Sequence, residues 1–300
     1  MYTPTPSTLK PNEVAAVLVE TAVLKHHTRY DKTFFKAFLA GVMLSFGGLL
    51  SEIIQGGSQG INSSNPGLVK ILGGFVFPVG LVMIVLQGQE LLTSNMMTFP
   101  MALLTRSIPV WSLPVNWIIV MFGNLVGSLF FAAILVRYTG IISMAPYDEF
   151  VREFAIKKAG TPEWHQVFLR GIGCNWLVSI AIWQSAGARD TVSKIYAIWI
   201  PIWIFVACGY DHVVANMFSV PLGIMFHANL TTAQYIRKRV SFIAAFIGNV
   251  VGALFVALPA WYFYLLNYNS DTPLDRVEQG EASDNPGDSS ANSLTKKRVN

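Results

Sequence analysis

Apolar residues run along this chain in blocks of membrane-spanning length, and polar residues gather between them. Four blocks suit a single crossing: Ala37 to Ile54, Trp111 to Val136, Gly171 to Ala188 and Val240 to Tyr268. A spanning helix needs about 20 mainly apolar residues to traverse a hydrocarbon core of roughly 30 Å. Two other blocks overshoot that length. Ile71 to Leu104 holds Glu90 as its only charge, and Ile195 to Phe226 holds only Asp211 and His212. As straight helices they would extend about 50 Å. Each has glycine, a carboxylate and asparagine at its centre, which disfavour an uninterrupted lipid-facing helix. Both are therefore expected to break near the middle. Irregular backbone at that depth is tolerated only against protein or a water-accessible cavity, so the breaks mark the expected functional site.

The flanks read differently. Asn12 to His27 repeats Val14, Val17, Leu18 and Ala22 at helical spacing after a Pro11-Asn12 start, which predicts an amphipathic helix on the membrane surface or against the bundle. Tyr147 to Lys158 is a second such segment. From about Asn269 the chain is rich in Ser, Asp, Asn and Gly and nearly free of apolar residues, which predicts disorder. The expected organisation is a cytoplasmic N-terminal amphipathic segment (1–36), a six-helix channel domain (37–268) and a C-terminal tail (269–300). The start of the chain lacks the basic and apolar regions of a cleaved signal peptide.

The two overlong blocks align without a gap. Gly88-Gln-Glu-Leu-Leu-Thr-Ser-Asn-Met96 lies over Gly209-Tyr-Asp-His-Val-Val-Ala-Asn-Met217, and glycine, carboxylate, asparagine and methionine coincide. Further on, Phe122-Gly-Asn-Leu-Val-Gly127 matches Ile247-Gly-Asn-Val-Val-Gly252. Ahead of both, Phe38-Leu-Ala-Gly41 matches Phe168-Leu-Arg-Gly171. Recurrent glycines alone are common in membrane helices, but they do not explain the nine-residue match or the shared order. The halves, about 37–136 and 168–268, each hold three crossings. An odd number inverts the second half. The expected fold is all-α, with six transmembrane helices in two inverted three-helix repeats and the second and fifth helices broken.

Composition agrees: 53% of residues are apolar and only 13% charged, against about a quarter charged in soluble domains. The net charge of +4 comes without a basic, aromatic-interleaved run, so nothing points to nucleic acid. Cys174 and Cys208 fall in apolar stretches and are expected to be buried free thiols. Lys and Arg number 12 on the N-terminal side and 9 on the other, but four of the 12 lie on the tail, so charge does not fix orientation. Cytoplasmic termini would place the sequons at Asn62 and Asn229 outside, which agrees weakly.

Ionisable side chains at membrane depth are costly and usually mark an ion or proton path. His212 is the foremost candidate, because histidine changes charge near neutral pH. A core histidine bonded to a neighbouring helix is the plainer alternative. Glu90 and Asp211, at equivalent positions, are expected to accept hydrogen bonds and fix their breaks, together with Gly88 and Gly209. Thr93 and Asn216 can cap a half-helix and point a donor inward. The half-helix N-termini each present unpaired N–H groups and a partial positive charge, an electropositive saddle for an anion that needs no buried lysine.

The Gly209 to Met217 segment with Phe205 ahead of it, the Gly88 to Asn95 segment and Arg170-Gly-Ile-Gly-Cys-Asn-Trp-Leu-Val178 resemble the signatures of the formate/nitrite transporter family. The likeness runs from about residue 10 to 266, and Lys157-Lys-Ala-Gly-Thr-Pro-Glu-Trp164 with the polar tail looks most like fungal nitrite-transporting members. The resemblance implies an aquaporin-like protomer in a homopentamer of the plasma membrane, one pore per protomer, carrying nitrite, formate or a similar anion with or without H+. It implies a substrate pathway of His212, Asn216, Thr93 and Asn175. It also implies apolar constrictions at Phe77 with Phe205 and at Leu81 with Leu91. By default these four are ordinary packing residues. The family's anion-attracting lysine falls at Ala159, so the role passes to the adjacent Lys158. Asp211 replaces the usual glutamate before the histidine.

Paired half-helices also suit an aquaporin-like channel for a small neutral solute, though His212 has no evident purpose there. An intramembrane enzyme is disfavoured: adjacent Asp211 and His212 diverge on one backbone, and no nucleophile motif or metal-ligand spacing accompanies them. No cofactor, metal or catalytic residue is expected.

Overall fold

A computed structural model describes residues 7–235 and 241–266; the tail predicted from Asn269 lies outside the described residues. Among the described residues there are no strands, only an isolated bridge between Thr8 and Ala188.

Six helical stretches are long and apolar enough to cross a membrane. The first is α2 (Tyr30–Gly57), preceded by α1 (Pro11–His26) and followed by the short α3 (Gln59–Ser64). The second comprises α4 (Pro66–Val76) and α5 (Val79–Leu86), which continue past a break into α6 (Leu92–Leu104). The third is α7 (Ser112–Phe130), prolonged by a π-helical segment to Tyr138. After α8 (Tyr147–Ala155) and a π-helical turn (Ile156–Gly160), the order repeats with α9 (Trp164–Gly187) and α10 (Thr191–Cys208). The second break leads to α11 (Val213–Met225), and α12 (Ser241–Tyr264) completes the set. The helices outrun their apolar blocks. α9 begins at Trp164 and runs straight through Arg170, which the apolar pattern had placed before the span.

Both breaks form where expected. Gly88 (φ 64°) and Gly209 (φ 78°) adopt the left-handed conformation that residues with a Cβ resist. The chain then runs extended through Leu91 and His212 before helix resumes. Because the halves are inverted, α6 and α11 start at the centre and run outward in opposite directions.

α1 is not a surface helix. It packs on α6, α9 and α12, and Val14, Leu18, Val19 and Ala22 are buried there. α8 occupies the equivalent place against α11 and α2. The Gly-Asn-x-Val-Gly runs do not join the two halves; they bring α7 against α2 and α12 against α9. A Cβ at Gly127 would strike the carbonyl of Phe38, and one at Gly252 the carbonyl of Ile172, so only glycine permits these crossings. Both cysteines are free, as expected, but only Cys174 is buried. Cys208, the last residue of α10, is exposed because it faces outward just before the turn at Gly209.

Candidate functional site

The two breaks face each other and are held by matching hardware. On α7, Asn124 donates to the carbonyls of Ala37 (2.8 Å) and Glu90 (2.9 Å) and accepts from the N–H of Leu92 (3.0 Å). On α12, Asn249 donates to the carbonyls of Gly171 and Asp211 (both 2.9 Å) and accepts from the N–H of Val213 (2.9 Å). Each asparagine thus occupies the first free N–H of a half-helix and ties the extended segment before it to the neighbouring span. Neither residue stood out as functional in the sequence. The signal was present in the twice-repeated Gly-Asn-x-Val-Gly, where a buried amide in an apolar helix calls for partners.

Each break carboxylate is paired with a lysine from the helix that precedes its half. Lys25, at the end of α1, reaches Glu90 at 3.2 Å and Asn95 Oδ1 at 2.7 Å, while Asn95 donates to Glu90 at 2.8 Å. In the second half Lys158 reaches Asp211 Oδ1 at 2.9 Å and also donates to the carbonyls of Gly209 (3.2 Å) and Tyr210 (3.0 Å). Lys25 had not been recognised, because helical periodicity gives no hint of a partner 65 positions away. Asn216, the repeat equivalent of Asn95, makes no such contact with Asp211 among the described residues. The aspartate is one methylene shorter than glutamate, and its Oδ2 has no hydrogen-bond partner.

His212 is the N-cap of α11. Its Nδ1 accepts from the N–H of Ala215 at 3.0 Å. In the neutral ring the proton therefore sits on Nε2, which faces Thr93 Oγ1 at 2.9 Å. The α11 cap expected of Asn216 belongs to His212, and α6 has no side-chain cap from Thr93. Asn175 does not stand free in the site either: its amide donates to the carbonyls of Asn249 (2.8 Å) and Thr93 (3.2 Å), clamping one half to the other.

Phe77, Leu81, Leu91, Phe205 and His212 line one small central cavity with Leu44, Val178 and Ile202. The rings of Phe77 and Phe205 meet edge to face with centroids 5.8 Å apart, and Phe205 stacks on His212 at 5.9 Å. Phe77 lies where α4 passes into α5, and its carbonyl occupies the space of a Cβ on Gly47 of α2. The four expected constriction residues and the histidine therefore come together, though they lie far apart in sequence. Chemically the site is an apolar chamber with one titratable ring, a hydroxyl beside it, and the positive ends of two half-helices. Among the described residues no group of metal-binding side chains stands there.

Comparison with known proteins matches this architecture. A family model described as formate/nitrite transporter covers residues 12–262. A probable formate transporter of Methanothermobacter thermautotrophicus is 38% identical over 272 residues, spanning 85% of this chain and 97% of the relative. A solved structure described as a pentameric formate channel with formate bound has a TM-score of 0.67 at 28% identity, covering 79% of this chain and 98% of that one. Another, described as an FNT family ion channel, has a TM-score of 0.72 at 28% identity, with 84% and 97% covered.

Proposed function

Because this chain belongs to the formate/nitrite transporter family, we propose that it conducts small monovalent anions of weak acids, nitrite or formate, through a pore within each protomer. It is an integral membrane channel or transporter and not an enzyme. The observation that carries the substrate class is the central cavity, where His212 stands among Phe77, Leu81, Leu91 and Phe205.

An anion approaching the breaks is favoured by the N-terminal ends of α6 and α11. The apolar constrictions oppose it, since a bare charge there loses its hydration without replacement. His212 and Thr93 supply the remedy. The Nε2–H donates to the Thr93 hydroxyl, which leaves the hydroxyl's own proton to be donated at the constriction. Protonation of the ring displaces the Ala215 N–H from Nδ1, so proton uptake is coupled to the start of α11. An imidazolium neutralises the anion beside it, and the pair crosses the apolar ring with little net charge. Asn216 and Asn175 complete the pathway, the latter by holding the halves in register.

The channel domain is residues 37–268, assembled as a homopentamer in the plasma membrane with both termini cytoplasmic. Its relative described as a pentameric formate channel supports that assembly and formate as a substrate. The test is uptake of isotopically labelled nitrite, formate, glycerol and water into vesicles containing the pure protein, at two pH values. Anion uptake that rises with acidity is expected. Flux of glycerol or water without anion flux would replace this reading with a neutral-solute channel.

A further inference from the structure

The mouth on the Lys158 side carries an arginine besides Lys158 and Asp211. Arg170 lies on α9, and its own carbonyl accepts the N–H of Asp211 at 3.4 Å. Its Nη1 is 3.9 Å from Asp211 Oδ2, too far for a hydrogen bond, and that oxygen has no other partner although Asp211 is 0% exposed. In the other half the matching place is held by Lys36, whose carbonyl accepts the N–H of Glu90 at 3.4 Å just as that of Arg170 accepts Asp211. The two sides therefore differ in the kind of cation, an ammonium on one and a planar guanidinium on the other.

Lys158 is poorly placed to receive an arriving anion. An ammonium has three N–H groups, and those of Lys158 are directed at the carbonyls of Gly209 and Tyr210 and at Asp211 Oδ1, with the side chain only 15% exposed. Lys157 is paired with Glu153 on the solvated face of its helix. Arg170 is 40% exposed, and its guanidinium makes no hydrogen bond among the described residues. Two turns further along α9, Val178 lines the central cavity. A guanidinium edge presents two parallel N–H groups, which match the two oxygens of a planar, bent anion such as nitrite or formate.

We propose that Arg170 is the anion-receiving residue of the Lys158-side mouth, binding a planar two-oxygen anion through one edge of its guanidinium, with Asp211 Oδ2 as the competing partner that lets the anion go. This inference rests on the anion-channel reading above. Asp211 keeps the arginine near the mouth, and its unpaired oxygen limits how tightly an anion is held. Fast passage needs both capture and release.

The experiment is initial uptake of labelled formate and nitrite from the Lys158 side, over a range of concentrations, in orientation-sorted vesicles. Wild type is compared with Arg170→Gln and with Arg170→Lys. At low ionic strength Arg170→Gln is expected to raise the half-saturating concentration about tenfold with little change in maximal flux. The effect shrinks as salt rises, because an exposed charge is screened over about 10 Å at 0.1 M. Arg170→Lys, which keeps the charge and secures folding, recovers part of the loss but not the preference for two-oxygen anions over chloride. Uptake from the opposite side keeps its half-saturation. An unchanged half-saturating concentration in both variants, or an equal effect from both sides, overturns the proposal while leaving the channel reading intact. A wild-type protein that moves neither anion overturns both.

Discussion

His212 Nε2 and Thr93 Oγ1 lie 2.9 Å apart across the junction of the two halves, one on the break of the second half and the other in the first turn of the half-helix opposite. A single hydrogen bond thus connects residues 119 apart in sequence where the two breaks meet. The other ring nitrogen is already committed to α11, which fixes the tautomer of the neutral ring.

Replacing His212 with asparagine should separate its two roles. Asparagine is a good N-cap and keeps the start of α11, whereas its amide does not titrate. His212→Asn is expected to assemble like wild type and to carry anions with little dependence on pH. Uptake measured from neutral to acidic pH checks this, and a wild-type pH profile in the variant would exclude the proton-sharing role.

Asn124 and Asn249 should be the most sensitive structural positions around the site. Truncating either to alanine strands two carbonyls and one N–H inside the bundle, at about 1–3 kcal/mol for each unsatisfied group. Asn124→Ala and Asn249→Ala are each expected to lower the thermal unfolding temperature in detergent by many degrees and to reduce the yield of assembled protein. Equal stability to wild type would show that the breaks hold without these ties.

Lys158→Ala leaves the Asp211 carboxylate buried beside only a distant guanidinium, and breaking a buried pair in this way costs about 3–5 kcal/mol. The double variant Lys158→Ala with Asp211→Asn removes the stranded charge and should recover much of the stability. Lys157→Ala should change little, because its partner Glu153 is equally solvated. Thermal unfolding of the three variants, read together, tests whether Lys158 acts first through the break.

Phe205→Ala and Leu91→Ala should widen the cavity at the ring stack and opposite it. Larger monocarboxylates such as lactate are expected to pass faster relative to formate, at a stability cost of about 2–5 kcal/mol for each truncated side chain. Competitive uptake of the two acids reads the change. Unaltered size selection in both variants would make these residues packing alone.

The length of the apolar blocks, the two breaks and the internal repeat were legible in the sequence because they depend on local properties. Hydrocarbon thickness sets how many apolar residues a helix needs, and a left-handed backbone at Gly88 and Gly209 favours glycine. His212 was legible for a similar reason, since a titratable ring in an apolar block is costly anywhere. The sequence also paired Glu90 with Asp211 and Asn124 with Asn249 across the repeat.

What those residues touch was decided by tertiary structure. Lys25 and Asn95 converge on Glu90, and His212 takes the cap of α11, because helices far apart in sequence cross at glycine contacts and bring their side chains within reach. Arg170 is the clearest case. Its charge excluded it from the apolar block, yet α9 carries it into the protein beside Asp211, since a helix buried against other helices can hold a charge wherever a partner or a water-filled mouth receives it. A sequence pattern records the average solvent that each segment prefers, whereas the distances that make a hydrogen bond or an ion pair exist only once the spans have packed.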